Sequence, residues 1–129
     1  VDLREETHGF ADGLPVSWHK KNHLANEGKT PEEVALDEEE RLAELSEGTT
    51  TFVPKGKTDK GRLKPVPFPP QSVHTEKKVV KALGFRYVRF YVTDRTQPDT
   101  DTIEAFLDFV DSLPGDAWIR VHCEAGNGR

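Results

Sequence analysis

Apolar positions along the chain recur with a helical period in three segments. The clearest lies at 100–114, where apolar residues occupy positions i, i+3, i+4 and i+7 and a proline follows the end. Those apolar positions are Ile103, Phe106, Leu107 and Val110. The pattern is typical of a helix that packs one face against a core.

Capping residues mark the ends of the other two predicted helices. The segment 30–48 begins with Thr30 and Glu33, which have the spacing of a capping box, and Gly48 can end it. Its many carboxylates are interpreted as a solvated face. The segment 75–84 begins with a threonine cap and ends with a glycine.

Runs of β-branched and aromatic residues predict strands between these helices. The longest are 85–92 and 117–123, and shorter runs lie at 1–3 and 49–53. Residues 4–29, in contrast, are rich in Gly, His and Asn and show no period, so they predict a long loop.

The alternation of helices and strands from position 75 to position 123 places the chain in the α/β class, with a parallel or mixed sheet flanked by helices. In such sheets, functional loops gather at the carboxyl ends of the strands. Two loops meet that condition, at 93–98 and at 124–129.

Composition limits the class of protein. The 129 residues suit one domain with a modest core; 34% are apolar and 32% are charged. The formal charge of -5 gives no indication of nucleic acid or anionic membranes, and no apolar run is long enough to span a bilayer. A single cysteine excludes an internal disulfide. The chain opens at Val1 with a predicted strand, and we interpret it as a processed or excised segment.

The lone cysteine, Cys123, opens the loop CEAGNGR at the end of a predicted strand. Gly126 and Gly128 allow consecutive amides to point inward and bind an anion, and the Arg129 fork contacts two phosphate oxygens. The positive potential lowers the pKa of the thiol, and a thiolate there is placed for in-line attack on phosphorus. A cysteine six positions before an arginine is, taken alone, more typical of an inert buried thiol. The glycine spacing favours the phosphate-binding loop.

Attack on phosphorus requires a proton donor for the leaving alkoxide. Asp94 follows the preceding predicted strand and is the candidate general acid, and afterwards the base that activates water. The alternative is an ordinary turn aspartate. His122 and Cys123 point to opposite faces of the strand, so a zinc site on these two residues is disfavoured. For His122 the sequence predicts a supporting hydrogen bond into the loop.

Seven ordered motifs carry a family resemblance. They are VDLREETHGF, GLPVSW, LANEGKT, TEKKV, YVTD, LPGDAW and HCEAGNGR. The last resembles the signature loop of cysteine-dependent phosphatases of the protein tyrosine phosphatase superfamily. Together they resemble the bacterial protein-tyrosine-phosphatase-like phytases over essentially the whole chain. The resemblance implies stepwise removal of phosphates from phytate (myo-inositol hexakisphosphate) without a metal or other cofactor.

The resemblance also implies residue roles. Cys123 is the nucleophile, Arg129 clamps the phosphate and Asp94 is the general acid. The implied amide cradle comprises Glu124, Ala125, Gly126, Asn127 and Gly128. The implied fold is a phosphatase α/β core with a small β domain. Residues 1–129 are then a partial catalytic domain, in which 49–72 form an excursion or part of a small accessory β subdomain.

Three departures from the family pattern affect these expectations. The chain stops at Arg129, before the hydroxyl residue and the long helix that usually follow, so the isolated segment is expected to be poorly stable and nearly inactive. Arg95 stands where the family often has histidine, and His23 stands where some relatives have aspartate. A secreted or periplasmic location is implied by the family alone.

Several phosphates on one substrate require several cations near the site. The candidate substrate contacts are Arg95, His23, Lys29, Lys57 and Lys60. The lysines of 55–64 are equally typical of a solvated linker. The residues expected to support the first loop, and in part to touch substrate, are Arg4, Glu6 and His8.

Two alternatives stay open. A protein tyrosine or phosphoinositide phosphatase is expected to have an aromatic recognition loop, which the sequence does not clearly contain. A phosphate-binding module without turnover is the alternative of another class, especially for the truncated chain. The expected partner is a small-molecule substrate rather than nucleic acid, a membrane or an obligate protein.

Overall fold

The computed structural model describes residues 1–18, 25–48, 50–54, 56–58 and 61–124. The helices within them are α1 (Pro31–Ser46), α2 (Glu76–Ala82) and α3 (Thr100–Asp111). All three lie where the sequence predicted them. The capping box of α1 is formed, since Thr30 Oγ1 accepts a hydrogen bond from the Glu33 amide and the Glu33 carboxylate accepts one from the Thr30 amide.

The strands are β1 (Asp2–Arg4), β2 (His8–Ala11), β3 (Leu14–Ser17), β4 (Thr50–Phe52), β5 (Lys57–Thr58), β6 (Gly61–Arg62), β7 (Val66–Phe68), β8 (Val73–His74) and β9 (Arg89–Val92). β1 and β9 run parallel, β3–β2–β8 form an antiparallel sheet, and β4–β7 and β5–β6 are antiparallel pairs. The predicted α/β class with mixed sheets is therefore confirmed. None of the helices in the described residues is long and apolar enough to cross a lipid bilayer.

β1 is the central strand of the parallel sheet. Asp2 pairs with Arg89 of β9 on one side and with His122 on the other. The Leu3 amide donates to the His122 carbonyl at 2.9 Å, and the His122 amide donates to the Val1 carbonyl at 3.1 Å. Helix α3 connects β9 to the segment at His122 and thereby passes over β1, as expected for a strand–helix–strand unit.

The two long predicted strands are shorter than expected. β9 covers only Arg89–Val92 of the predicted 85–92, and the predicted strand 117–123 is reduced to a single bridge at His122. Their common neighbour, β1, has three residues, so it offers a ladder of that length only. Trp118 is fully exposed, which agrees with the lack of a ladder at this point in the described part of the chain.

The prediction of one long loop at 4–29 is wrong, because β2 and β3 form a hairpin within it. Ala11 pairs with Leu14, and the two residues between them, Asp12 and Gly13, both have positive φ, 47° and 78°. This backbone suits a type I′ turn, for which Asp-Gly is a preferred sequence. The Asp-Gly pair between apolar residues was the signal for the hairpin in the sequence.

Strands β4 to β7 lie inside the segment 49–72, which the sequence predicted as an excursion or as part of a small accessory β subdomain. β4 pairs with β7 and β5 pairs with β6, rather than with the parallel sheet. Phe52 and Phe68 meet edge to face, with ring centroids 5.5 Å apart. The assignment of this segment to a separate subdomain stays a prediction.

Helix α1 packs directly on β2 at Gly9. A Cβ atom at this position would lie 2.7 Å from the His74 carbonyl oxygen and 2.9 Å from the Leu42 side chain, so a larger residue has no room. The buried apolar residues of the helix are Val34, Leu42 and Leu45. The close approach brings the polar side chains of α1 within reach of the strands.

Helix α3 packs on β9 through aromatic contacts. Phe90 of β9 lies edge to face with Phe106 and Phe109, at centroid distances of 5.7 Å and 6.2 Å. Ile103 and Leu107, which the sequence placed in the same apolar stripe, are 48% and 55% exposed. The helix therefore uses only part of its apolar face against β9.

Candidate active site

The carboxyl ends of three parallel segments meet at one edge of the sheet: β9, β1 and the segment that ends at His122. Asp94 follows β9 by two residues, and Cys123 follows His122 directly. Because β1 lies between them, the backbones of the two outer segments are separated by two strand spacings, about 10 Å. The predicted nucleophile and the predicted acid therefore leave the same edge of one sheet.

Cys123 is buried, and Glu124 beside it is partly buried. Several predicted site residues lie outside the described part of the chain, and their roles stay predictions. These are His23, Lys60, Ala125, Gly126, Asn127, Gly128 and Arg129. The same holds for the side chain of Lys57.

Asp94 lies in a tight turn after β9. The Thr96 amide and hydroxyl both donate to the Thr93 carbonyl, at 3.2 Å and 2.8 Å. Arg95 has a φ of 63°, a left-handed conformation that is uncommon for a residue with a side chain. Its Nε lies 3.9 Å from the Asp94 carboxylate, and its side chain is 75% exposed. The turn thus presents a carboxyl group and a solvent-facing cation side by side.

A buried charge cluster lies against β1, with His8 at its centre. His8 Nε2 is 3.0 Å from Glu76 Oε2 and 3.2 Å from Asp2 Oδ2, and its Nδ1 is 2.6 Å from the Glu6 carbonyl oxygen. Burial lowers the pKa of His8, but hydrogen bonds to Asp2 and Glu76 outweigh burial and raise it to about 9. His8 is therefore protonated at neutral pH and donates from both ring nitrogens.

The free energy of unfolding is expected to fall between about pH 6.5 and pH 9 because of His8. Its folded-state pKa of about 9 exceeds the ordinary 6.5, so its contribution is complete below pH 6.5 and is lost as the pH rises through 9. The difference corresponds to about 3 kcal/mol. Denaturant unfolding of the full-length protein at closely spaced pH values measures the slope, and His8→Gln should flatten it. A slope that His8→Gln leaves unchanged would contradict the assignment.

Arg89 holds the connection between β1 and β2 in place. Its guanidinium donates to the carbonyl oxygens of Arg4, Glu5 and Glu6, at 2.7 Å, 3.3 Å and 2.9 Å. The same group forms an ion pair with Glu38 of α1 at 2.9 Å. The sequence did not single out Arg89, because an arginine within an aromatic strand run shows no sign of its partners.

Glu38 corrects the prediction that the carboxylates of α1 form only a solvated face. It is 5% exposed, and its Oε2 accepts from the His8 amide and from Arg89 Nη1, both at 2.9 Å. A buried carboxylate is stable only when it is paired in this way. Glu38 lies four residues after Val34 and four before Leu42, so its position on the buried stripe was the signal in the sequence.

A second carboxylate of α1, Asp37, holds Lys29. Asp37 accepts hydrogen bonds from Lys29 Nζ at 2.9 Å, Arg41 Nε at 2.6 Å and Thr7 Oγ1 at 3.1 Å. Burial raises the pKa of Asp37, but the hydrogen bonds from Arg41 and Lys29 outweigh burial and lower it to about 2. The ammonium group of Lys29, a predicted substrate contact, is thus already paired with α1.

Arg4 ends β1 and pairs in register with Val92 of β9. It is 8% exposed, and its Nε lies 4.0 Å from the Glu6 carboxylate. That nitrogen has no hydrogen-bond partner among the described residues, which is uncommon for a buried guanidinium. Arg4 therefore supplies positive charge at the carboxyl edge, on the strand between the segments that lead to Asp94 and Cys123.

Glu76, the first residue of α2, joins His8 to His122. Its Oε2 is 3.0 Å from His8 Nε2, and its Oε1 is 3.0 Å from His122 Nε2. The predicted hydrogen bond from His122 into the loop falls outside the described residues. Asp2, Glu76 and His122 place ligand atoms within 4.8 Å of one another. Those carboxylates are already bonded to the protonated His8 and to Tyr87, so the cluster is a hydrogen-bonded network.

A protein-family model matches the whole chain. It is the model of the protein-tyrosine-phosphatase-like phytases, its description is "Inositol hexakisphosphate", and it matches residues 1–129. The chain belongs to this family. The resemblance carried by the seven sequence motifs is thereby confirmed.

Solved structures resemble this phytase-family chain over nearly all of its length. The PTP-like myo-inositol phosphatase from Mitsuokella multacida, in complex with myo-inositol-(1,3,4,5)-tetrakisphosphate, is 37% identical, with a TM-score of 0.90 over 99% of this chain. A PTP-like phytase from Bdellovibrio bacteriovorus is 31% identical, with a TM-score of 0.75 over 97% of this chain. The chain spans 22% and 42% of those two proteins. The predicted phosphatase-like fold is confirmed by both.

Curated relatives are also longer than this phytase-family chain. Effector protein hopD2 of Pseudomonas syringae pv. tomato is 28% identical over 133 residues, which cover 100% of this chain and 28% of that protein. The tyrosine-protein phosphatase CDC14 homolog of Schizosaccharomyces pombe is 35% identical over 54 residues, which cover 42% of this chain and 10% of that protein. The chain is thus similar to parts of larger proteins.

Proposed function

We propose that this chain is part of a phosphomonoester hydrolase that removes phosphates stepwise from inositol polyphosphates such as phytate. The observation that carries the proposal is the family match over residues 1–129. The relative from M. multacida, solved with an inositol tetrakisphosphate, supports the substrate class. The position of Cys123 and Asp94 at one sheet edge supports the reaction type. A secreted or periplasmic location is part of the proposal.

In the proposed reaction, the Cys123 thiolate attacks phosphorus while the bond between phosphorus and the inositol oxygen breaks. Asp94 gives its proton to the departing oxygen. Water then attacks the phosphocysteine, Asp94 takes a proton from that water, and the sulfur–phosphorus bond breaks to release inorganic phosphate. The proposal assigns the stabilisation of negative charge to the loop amides and Arg129, rather than to a metal or other cofactor.

An inositol polyphosphate presents further phosphates around the one under attack, and these require cations near the sheet edge. Arg95 is the solvent-facing cation beside Asp94, and we assign it to a neighbouring phosphate. Arg4 is the buried cation at the end of β1, and it adds positive charge at this edge of the sheet. Lys29 contributes only if it leaves Asp37.

A protein tyrosine phosphatase is the second candidate function, and the match of 54 residues to the CDC14 homolog favours it. Both candidates share the cysteine mechanism and differ in the pocket around the phosphate. A phosphotyrosine side chain carries one phosphate on an aromatic ring, so the pair of cations at Arg4 and Arg95 favours the inositol polyphosphate.

Phosphate release by the full-length protein tests the proposal. Phytate, a phosphotyrosine peptide and a phosphoinositide are offered side by side, with a metal chelator present. We expect the fastest release from phytate and no effect of the chelator. Release mainly from the peptide or the lipid would overturn the substrate class, and binding of phytate without release would indicate a phosphate-binding module.

A further inference from the structure

We propose that Glu76 is a positioning residue for the nucleophile, because its carboxylate connects buried His8 to His122, the residue immediately before Cys123. The inference rests on the proposed function, in which Cys123 attacks phosphorus. It adds a residue of α2, far from the cysteine loop in sequence, to the groups that determine how the thiol behaves.

Both oxygens of the Glu76 carboxylate are held. Oε2 lies 3.0 Å from His8 Nε2 and Oε1 lies 3.0 Å from His122 Nε2, and the side chain is 13% exposed. Thr75 caps α2 by accepting a hydrogen bond from the Lys78 amide at 3.2 Å, which fixes the turn that carries Glu76. A carboxylate fixed at its helix and at both oxygens has little freedom to turn.

The contacts from His8 through Glu76 to His122 form a bridge of side chains, and His8 anchors this bridge in the core of the protein. Its Nδ1 donates to the Glu6 carbonyl at 2.6 Å, and its Nε2 is also 3.2 Å from Asp2. Asp2 in turn accepts a hydrogen bond from the Tyr87 hydroxyl at 2.7 Å. The end of the bridge opposite His122 is therefore attached to β1 and to the chain just before β9.

The other end of the bridge determines the state of the His122 ring. A hydrogen bond at one imidazole nitrogen decides which nitrogen carries the proton and how the ring is turned. The Glu76 carboxylate lies 3.0 Å from Nε2, which leaves Nδ1, the nitrogen nearer the backbone, for a second partner. The backbone of His122 is already fixed by its hydrogen bonds to Val1 and Leu3. Glu76 thus completes the orientation of the residue that adjoins Cys123.

A thiolate is stabilised by fixed dipoles and charges nearby. The His122 and Cys123 side chains point to opposite faces of the strand, so the imidazole acts on the thiol through the backbone that the two residues share. The titratable and charged groups around the bridge are Asp2, Arg4, His8, Glu38, Tyr87 and Arg89. Of the acidic groups in the described residues, Glu76 is the one within hydrogen-bond distance of the His122 ring. A change at Glu76 therefore reaches Cys123 through His122.

Glu76→Gln in the full-length protein tests this role. The rate at which iodoacetamide alkylates Cys123 is measured across pH from the mass of the peptide that contains it. A ring that is no longer fixed stabilises the thiolate less, so the midpoint of the profile should rise by roughly one pH unit. For phytate, kcat should fall roughly tenfold while KM stays within about twofold.

The alkylation profile does not depend on turnover, so the experiment can contradict the proposed function without contradicting the role of Glu76, and the reverse. Wild-type protein that releases no phosphate would overturn the function, and the profile of Glu76→Gln would still report on the bridge. An unchanged profile in a folded Glu76→Gln protein would overturn the positioning role.

Tyr87→Phe is the matched control, because it removes a hydrogen bond to Asp2 from the same network without touching His122. It should lower thermal stability and leave the alkylation profile in place. An equal shift in Tyr87→Phe would overturn the proposal in favour of a general structural role. If Glu76→Gln does not fold, His122→Asn replaces it; this variant should reproduce the upward shift, and an unchanged profile would overturn the proposal.

Discussion

Cys123→Ser is expected to lower phosphate release from phytate by a factor on the order of 10⁴ to 10⁶ in the full-length protein. A serine hydroxyl is not ionised at neutral pH, so the nucleophile of the proposed reaction is lost. Binding of phytate should persist, because the groups assigned to the phosphate are loop amides and arginines. Acid quench of wild-type protein with phytate, followed by mass measurement, should place one phosphate on the peptide that carries Cys123.

Cys123→Ala is the companion variant for this experiment. It has neither a thiol nor a hydroxyl, so any release that Cys123→Ser retains above it measures attack by the serine oxygen. Both variants should lack the phosphocysteine, and Cys123→Ala should lack any phosphorylated form of this peptide. Undiminished release by either variant, or a phosphate recovered on a histidine of the wild-type protein, would rule out Cys123 as the nucleophile.

Arg89→Met is expected to lower the free energy of unfolding by about 3–5 kcal/mol. Glu38, which is 5% exposed, and Asp2, which is fully buried, would both lose the guanidinium and keep only His8 as a cationic neighbour. The carbonyl oxygens of residues 4–6 would lose the guanidinium as a donor, and Tyr91 would lose the same group 4.5 Å from its ring centroid. Native-state hydrogen exchange of the full-length protein, read at the amides of β1 and β9, measures the loss.

Arg86→Met is the matched control on the same segment. Arg86 is exposed and lies 5.8 Å from the Phe109 ring centroid, so its replacement should cost less than about 1 kcal/mol. Equal losses for Arg86→Met and Arg89→Met would show that the buried ion pairs of Arg89 do not stabilise the sheet.

The helices could be predicted because their signals are local. The capping box at Thr30 and Glu33 formed as expected, and α3 follows its apolar period. The hairpin of β2 and β3 also has a local signal, Asp12-Gly13, but residues 4–29 were interpreted as one aperiodic segment.

Strand lengths could not be predicted in the same way, because a strand extends only as far as its partner does. The run 85–92 has strand composition throughout, yet its ladder begins at Arg89, where β1 becomes available. The run 117–123 keeps one bridge for the same reason. Composition reports what a segment favours, and the partner decides how much of it pairs.

Some residues of the candidate site could be predicted from the sequence and others could not. Cys123 and Asp94 follow from a motif and from the order of strands, both of which are visible in the sequence. The network around His8 is not, because its members come from distant positions; His8 and Glu76 are 68 positions apart. A buried glutamate and a solvated glutamate look the same in the sequence, and only the packing of the fold distinguishes them.

The central position of β1 affects the order in which the protein folds during synthesis. Val1 and Arg120 are hydrogen-bonded although they lie 119 positions apart, whereas the β2–β3 hairpin closes over two residues. Closing the long span costs more chain entropy, and such contacts form slowly. The hairpin can therefore form while the ribosome is still adding residues. β1 cannot pair with the segment at His122 until position 122 has left the ribosome. The edge that carries Cys123 is then among the last parts of this chain to close.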